Sequence, residues 1–322
     1  MRFVFFADCG SEVGAGHVMR SFAIAEELSL RGFTTLFLNL SKAPEWAKIK
    51  IAKLENCSIS QLELSEFLPL PEKDFLILDS YQISPHDSKV AKSNWLAVAA
   101  LIDEVTPDYE ADLYIAPSLT IPAGRQNTYG GPEYLPVRNE LISDRTKESG
   151  ESSPLKVLLT GGGTDPYGFV EEALSVLIDI PIDFELIILT NRPQKELSRN
   201  FRVYPSGDYL KDVISIIDLA ISPASTSSFE FIVNEIPLGI VSSADNQERN
   251  YQDLKNLGLA FPLGIRKRSG EWDLSAESFI KLIVDKNIRD GIKGAQHGAI
   301  SKLGAFNSVD LILKQVSNKR GV

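Results

Sequence analysis

Short apolar runs alternate with longer stretches of helical period along almost the whole chain. FVFFAD, TTLFLNL, DFLILDS, LAVAALIDE and LYIAP predict five strands in the first half; KVLLTG, FELIILT, FRVYPS, DLAISPA and PLGIVSS predict five more in the second. Strands that are apolar throughout and interleaved with helices predict parallel sheets covered on both faces. Between the two sets lies SDRTKESGESSP, Ser143 to Pro154, which is polar, lacks large apolar residues and closes on a proline. It reads as an interdomain linker. The fold class that follows is α/β, two doubly wound Rossmann-like domains facing a central cleft, over residues 1–142 and 155–322, joined by 143–154.

Both halves open in the same way, with a strand, a glycine turn and a helix. In the first, GAGH precedes VMRSFAIAEELSLRG, which is apolar at Val18, Phe22, Ala25 and Leu28 and ends at Gly32. That is the spacing of an amphipathic helix with a glycine stop. In the second, KVLLTGGGTDPYG precedes FVEEALSVL. Folds of this kind bind ligands beyond the carboxyl ends of their strands. Gly14 and Gly16 meet the spacing of a dinucleotide fingerprint only in part, since Met19 stands at its third glycine and TTLFLNL ends in no acidic residue. GGGTDPYG lacks the Lys and Ser/Thr of a P-loop. The glycines then serve either close backbone approach to a ligand or simply tight turns. His17 falls at the helix N-terminus, where backbone N–H groups favour negative charge. It is either a locally bonded helix-start residue or an exposed base. His86, in the turn SPHD, reads as a surface residue, and His297, in AQHGA, as structural.

Composition narrows the chemistry. The chain has 322 residues, 43% hydrophobic and 24% charged, as in a globular protein. Its net charge of −10 argues against a nucleic-acid partner, because phosphate contacts need clustered Lys and Arg. Cys9 and Cys57 are the only cysteines and three histidines lie far apart, so no zinc or histidine-based metal site is expected, and no cofactor. Two free thiols suit a reducing cytoplasm. Asp8 cuts MRFVFF short of a signal-peptide core, and no run reaches the roughly 18 apolar residues of a membrane span. The expected protein is cytoplasmic and monomeric.

Two further polar segments follow strands of the second half. SPASTSSFEF places Ser225, Thr226, Ser227 and Ser228 at a helix start, with Glu230 one turn in. Those hydroxyls either cap the helix or donate to phosphate oxygens. SSADNQERN begins the next helix, with Asp245 or Asn246 as the candidate cap and Gln247 beside them. With Gly162 and Gly163 of GGGTD, three polar strand ends would surround one phosphate-sized site.

Taken together, these segments resemble a known family. From Asp8 to Arg20, D-x-x-x-x-V-G-A-G-H-V-M-R is similar to the start of the UDP-2,4-diacetamido-2,4,6-trideoxy-β-L-altropyranose hydrolases of pseudaminic acid biosynthesis. LDSYQIS, DEVTP, ADLYIAPS, YGGPEYLPVRNE, LLTGGGTDP, SSFEF, SADNQ and the late GAISKLGAFNSVDLIL continue the resemblance in order. It implies a GT-B fold, similar to the UDP-GlcNAc transferase of lipid II synthesis, with the last helix packing back on the N-terminal domain. It also implies metal-independent hydrolysis of a UDP-sugar at C1–O with inversion. His17 matches the base and Tyr81 a tyrosine on the sugar side, with Asn246 near the diphosphate. Asp8, Gly14, Gly16, Arg20, Gly162, Gly163, Thr226, Ser227, Glu230 and Gln247 match substrate-binding positions, Glu230 at the ribose. Phe6 replaces an arginine of that family, Ala224 and Ser225 replace two glycines, Phe229 a tryptophan, and Glu104 follows Asp103 where a second aspartate is usual. Those added Cβ atoms would stand in the way of phosphate. An inverting glycosyltransferase would share fold and base, and an inactive nucleotide-sugar-binding protein would share the fold alone. A lipid-acceptor transferase calls for an exposed apolar or basic surface in the first domain. No such segment is legible in the sequence.

Overall fold

The computed structural model describes residues 1–10, 13–103, 106, 108, 110–121, 125–143, 154–181, 183–192 and 201–321. Of the expected linker, only its end residues Ser143 and Pro154 fall among them. The chain forms two units: Met1–Asn139 together with Ser301–Val322, and Glu140–Ile300.

The first unit runs β1 (Arg2–Ala7), α1 (Gly16–Leu30), β2 (Thr34–Leu38), α2 (Glu45–Ala52), β3 (Cys57–Ser60), β4 (Asp74–Asp79), α3 (Pro85–Asn94), β5 (Ala97–Leu101), β6 (Leu113–Ala116) and β7 (Thr128–Gly130). Its sheet has the order β3-β2-β1-β4-β5-β6-β7, parallel throughout. The second unit runs β8 (Leu155–Thr160), α4 (Phe169–Leu177), β9 (Phe184–Leu189), β10 (Phe201–Tyr204), α5 (Leu210–Val213), β11 (Leu219–Pro223), α6 (Thr226–Val233), β12 (Leu238–Ser242), α7 (Glu248–Asn256), β13 (Phe261–Arg266), β14 (Trp272–Leu274), α8 (Ala276–Val284) and α9 (Lys286–Gln296). Its order, β10-β9-β8-β11-β12-β13-β14, repeats that of the first sheet, with only β14 antiparallel. The chain closes with α10 (Gly304–Arg320), which belongs to the first unit.

Both sheets reverse their strand order beside the opening strand, at β1/β4 and β8/β11. That reversal leaves a crevice at the carboxyl ends, where ligands bind in doubly wound folds. The central strands can sit there because they are apolar on both sides. Phe3, Phe5, Phe75 and Ile77 pack with α1 and α10, whereas Val4, Leu76, Leu78 and Val98 pack with α3. Phe5 stacks on Phe37 of β2 with ring centroids 4.7 Å apart.

All ten strands expected from the apolar runs are present; β3, β7, β13 and β14 were not legible. β3 and β7 are short edge strands with half-exposed faces. β13 carries Pro262 and Gly264, which argue against a strand by composition. Gly264 nonetheless has φ +151°, and a Cβ there would come within 2.2 Å of the Asp273 carbonyl oxygen on β14. A register shift against β12 accommodates the extra residue. The stop of α1 is as expected: the Gly32 N–H donates to Ser29 O and the Phe33 N–H to Leu28 O, a Schellman pair.

The start of α10 lies so close to Leu135 that a Cβ on Gly304 would fall 1.9 Å from its carbonyl oxygen. Behind that contact Val309, Ile312 and Val316 bury into the same core as Phe3 and Phe5. Gly304→Ala therefore should destabilise the first unit by about 1–3 kcal/mol, the usual cost of overpacking against backbone. Thermal unfolding followed by circular dichroism checks this; an unchanged midpoint would contradict the seating of α10 on Leu135.

Candidate functional site

Between β1 and α1 the chain makes a tight glycine loop. Gly10 and Gly14 exchange two backbone hydrogen bonds, and Gly14 holds φ +83°, a conformation that disfavours any Cβ. The loop delivers Gly16 and His17 to the start of α1. On that helix His17, Arg20 and Ser21 lie at i, i+3 and i+4, so one face carries all three. Along β4 the alternation Phe75, Ile77, Asp79 points the last carboxylate at the same face.

Asp79 is fully buried and satisfied from several sides. Arg20 donates through Nε to Oδ2 at 2.6 Å and through Nη2 to Oδ1 at 2.5 Å, and Ser21 Oγ donates to Oδ2 at 3.4 Å. His17 Nδ1 lies 2.6 Å from Oδ1 and 3.2 Å from the Asp79 carbonyl oxygen. Arg20 Nη2, a donor, also lies 3.2 Å from Nδ1, but it is committed to Asp79 Oδ1 at 2.5 Å. The shorter contact of Nδ1 is to a carboxylate oxygen that only accepts, which assigns the proton to Nδ1 and leaves Nε2 as the basic nitrogen of the neutral ring. Burial alone would raise the Asp79 pKa. The positive charge of Arg20 and the imidazole of His17 outweigh it and hold the carboxyl at about 2. Burial likewise works against the Arg20 charge, yet Asp79 drives its pKa further up. The ion pair therefore stays charged and fixes the imidazole from behind.

Tyr81 forms a wall of this site. Its ring meets His17 edge to face, centroids 4.6 Å apart, and its hydroxyl donates to Asp103 Oδ2. The same Asp103 oxygen lies 4.0 Å from Arg20 Nη2, and Thr106 Oγ1 donates to its Oδ1 at 3.0 Å. Asp8 ties the turn after β4, accepting from Ser80 Oγ at 2.6 Å and from the Tyr81 N–H at 2.7 Å. The structure thus gathers Asp8, His17, Arg20 and Tyr81, with Gly14 and Gly16 in the loop that presents them. Asp8 and Arg20 spend their side chains on orienting neighbours. Asp79 and Asp103 were given no role from sequence, although both lie inside singled-out motifs, LDSYQIS and DEVTP. The signal that could have found Asp79 was an aspartate directly after the apolar run FLIL, at the carboxyl end of a central strand.

In the second unit the expected residues follow the carboxyl ends of three adjacent strands, β8, β11 and β12. After β8, Gly162 donates its N–H to Thr160 Oγ1 at 3.2 Å, and Gly163 continues the loop. Asp165, buried at φ +46°, accepts from the Phe169 N–H at 2.8 Å and the Val170 N–H at 3.2 Å. Those donors of α4 are therefore used within the fold. After β11, by contrast, Ser225 makes no side-chain cap to α6, and Thr226 and Ser227 are half-exposed. The first turn of α6 is thus less capped by side chains than that of α4, although the Ser228 N–H donates to Ser225 O at 2.9 Å. Of the two residues that replace glycines, Ala224 is fully buried and Ser225 is half-exposed. Glu230 is buried one turn in, and its carbonyl oxygen accepts from Asn234 Nδ2. After β12, Asn246 sits half-exposed in a short 3₁₀ turn. Gln247 folds back so that Oε1 accepts from the N–H and Oγ of Ser243.

Among the described residues no group of three or more His, Cys, Asp or Glu side chains is arranged to hold a metal ion, and no helix is long and apolar enough to cross a membrane.

No protein-family model matches the chain. It is 21% identical over 291 residues to the spore coat polysaccharide biosynthesis protein SpsG of Bacillus subtilis, covering 81% of this chain and 83% of that protein. Among solved structures, spinosyn forosaminyltransferase SpnP matches with a TM-score of 0.66 at 14% identity, over 98% of this chain and 99% of the other. The glycosyltransferase SsfS6 of Streptomyces sp. SF2575, in complex with thymidine diphosphate, matches with a TM-score of 0.61 at 13% identity, over 98% and 99%. The fold is that of the GT-B glycosyltransferases, and SpsG is a distant homologue.

The buried ion pair predicts a signature in stability. The Asp79 pKa is lower folded than unfolded, so its contribution is complete above about pH 4 and is lost as pH falls toward 2. Asp79→Asn leaves the buried Arg20 with only the more distant Asp103 carboxylate, 4.0 Å away, at a cost of roughly 3–5 kcal/mol at neutral pH. Urea unfolding of both proteins across that range should show the gap widest near neutrality and closing below pH 4; a gap independent of pH would contradict the pairing.

Proposed function

We propose that the chain hydrolyses a UDP-sugar at the anomeric C1–O bond with inversion, releasing UDP and a 2,4-diacetamido-2,4,6-trideoxyhexose for nonulosonate synthesis of the pseudaminic acid kind. The observation that carries this reading is His17 Nδ1 2.6 Å from Asp79 Oδ1, a carboxylate that is charged at neutral pH and favours the Nδ1–H tautomer. In that state Nε2 accepts a proton from water as the water oxygen bonds to C1. The C1–O bond breaks with its electron pair on the UDP oxygen, and Asp79 stabilises the imidazolium that forms. Diphosphate is a good leaving group, so the reaction needs a base, a positioned water and donors for the developing charge rather than a cofactor. Thr226 and Ser227 at the first turn of α6 suit the diphosphate, with Gly162 and Gly163 letting the loop after β8 approach it closely. Glu230 takes the ribose hydroxyls, and Asn246 and Gln247 complete the diphosphate and sugar contacts. Tyr81 and the Gly14–Gly16 loop shape the sugar side. The distant SpsG homologue, a polysaccharide biosynthesis protein, supports a role in sugar metabolism.

A second reading, an inverting UDP-sugar glycosyltransferase, is favoured by the glycosyltransferases that share the fold. There Nε2 would activate an acceptor hydroxyl instead of water.

Turnover of the altropyranose UDP-sugar in oxygen-18 water, without any acceptor, separates the two. Hydrolysis should place the label on the C1 hydroxyl of a sugar first released as the inverted anomer. Turnover only after an alcohol acceptor is added would establish the transferase. His17→Ala should lower kcat by about 10²–10⁴ while calorimetric UDP affinity stays unchanged; wild-type turnover in the variant would remove His17 as the base. Glu230→Ala should weaken UDP binding, and an unaltered dissociation constant would displace the ribose from Glu230.

A further inference from the structure

The connection from β3 to β4 is unusual for a doubly wound sheet. Parallel strands are normally joined through a helix that covers the sheet. Residues 61–73 instead cross in turns and extended chain, with the sequence QLELSEFLPLPEK. The face of β1 and β4 turned away from α1 is therefore covered by α3 and this segment, and a pocket of about 600 Å³ remains between them. This lies in the size range of small-molecule sites.

Its walls are apolar and preformed. Phe6, Leu64, Phe67, Ile83, Ala91 and Trp95 line it, and Ile83, Ala91 and Trp95 are buried. Phe67 has the Arg2 guanidinium 5.2 Å from its centroid and stacks with the Trp95 indole at 5.4 Å and 16°. Leu68, also lining, is 87% exposed, far more than a side chain of its type needs. An exposed apolar surface is thus present in the first unit, contrary to the reading of the sequence.

The polar lining residues are exposed and so form the rim. Glu63 and Asp87 are among them, and no lysine or arginine among the described residues lines the pocket. Glu63 accepts from Asn39 Nδ2 and Asp87 from Ser84 Oγ, both neutral donors, so two negative charges remain at the opening. An anion entering an apolar cavity past those charges would lose its hydration and meet repulsion. The pocket excludes a sugar phosphate or carboxylate, and its stacked aromatic wall favours a flat ring.

We propose that this pocket is a second ligand site, on the sheet face opposite His17, for a neutral or cationic small molecule built around an apolar ring system. The site rests on its own geometry and not on the reaction assigned to His17.

Two fluorescent probes with the same anilinonaphthalene skeleton test both shape and charge. Neutral N-phenyl-naphthylamine should bind the full chain saturably at one site, and its sulfonated analogue at least about tenfold more weakly, a difference of about 1.4 kcal/mol. Leu68→Glu, on an exposed side chain, should weaken the neutral probe by a similar factor while the circular dichroism spectrum stays unchanged. Glu63→Gln should narrow the preference for the neutral probe. Equal binding of the two probes, binding indifferent to Leu68→Glu, or adsorption of the protein to neutral lipid vesicles without saturable probe binding would each overturn the proposal.

Discussion

A carboxylate with no access to water has to be neutralised where it stands, and in this protein the first unit is organised around one. Asp79 ends a strand buried on both faces, and an unpaired charge there would cost several kcal/mol. Arg20 meets both of its oxygens, which fixes the rotation of α1 about its axis. With α1 so rotated, His17 one turn earlier has its Nδ1 against the same carboxylate. The ring orientation, the tautomer and the free Nε2 are consequences of one buried ion pair. Tyr81 and Asp103 extend the arrangement, since Asp103 stands near Arg20 and holds the tyrosine hydroxyl.

The two sheets show how one topology yields different local chemistry. Each reverses its strand order beside the opening strand, and each opening strand leads through a glycine loop to a helix. In the first unit that loop presents a histidine. In the second, the Asp165 carboxylate reaches from the loop before α4 and takes that helix's first backbone donors, whereas the neighbouring α6 begins with the half-exposed Thr226 and Ser227. A glycine-rich loop is thus a weaker indicator of anion binding than the state of the N–H groups after it.

These differences explain what the sequence discloses. Buried parallel strands announce themselves as continuous apolar runs, so the central strands of both sheets are legible, while β3 and β7 at the edges carry mixed patterns. β13 is hidden by Pro262 and Gly264, whose compatibility with a strand depends on a register shift and on the close approach of β14. At the site, His17 stands out because a reactive residue type follows a glycine turn at a helix start, whereas Tyr81 is marked only by the family resemblance of LDSYQIS. Asp79 does not stand out, because its partners lie 59 and 62 residues away and only folding brings them together. The apolar pocket behind Phe6 is hidden for a related reason: it results from a crossover that lacks a helix, and the segment reads as an ordinary turn-rich loop.

The central claim is that Asp79 holds His17 with the proton on Nδ1 and the lone pair on Nε2. Nitrogen-15 NMR of the histidine-labelled protein in mildly alkaline buffer, with His17 identified by its loss in His17→Ala, reads that state directly. The account predicts a protonated Nδ1 and a bare Nε2 in the neutral ring. A proton on Nε2, with Nδ1 bare, would contradict it and leave the site without its base.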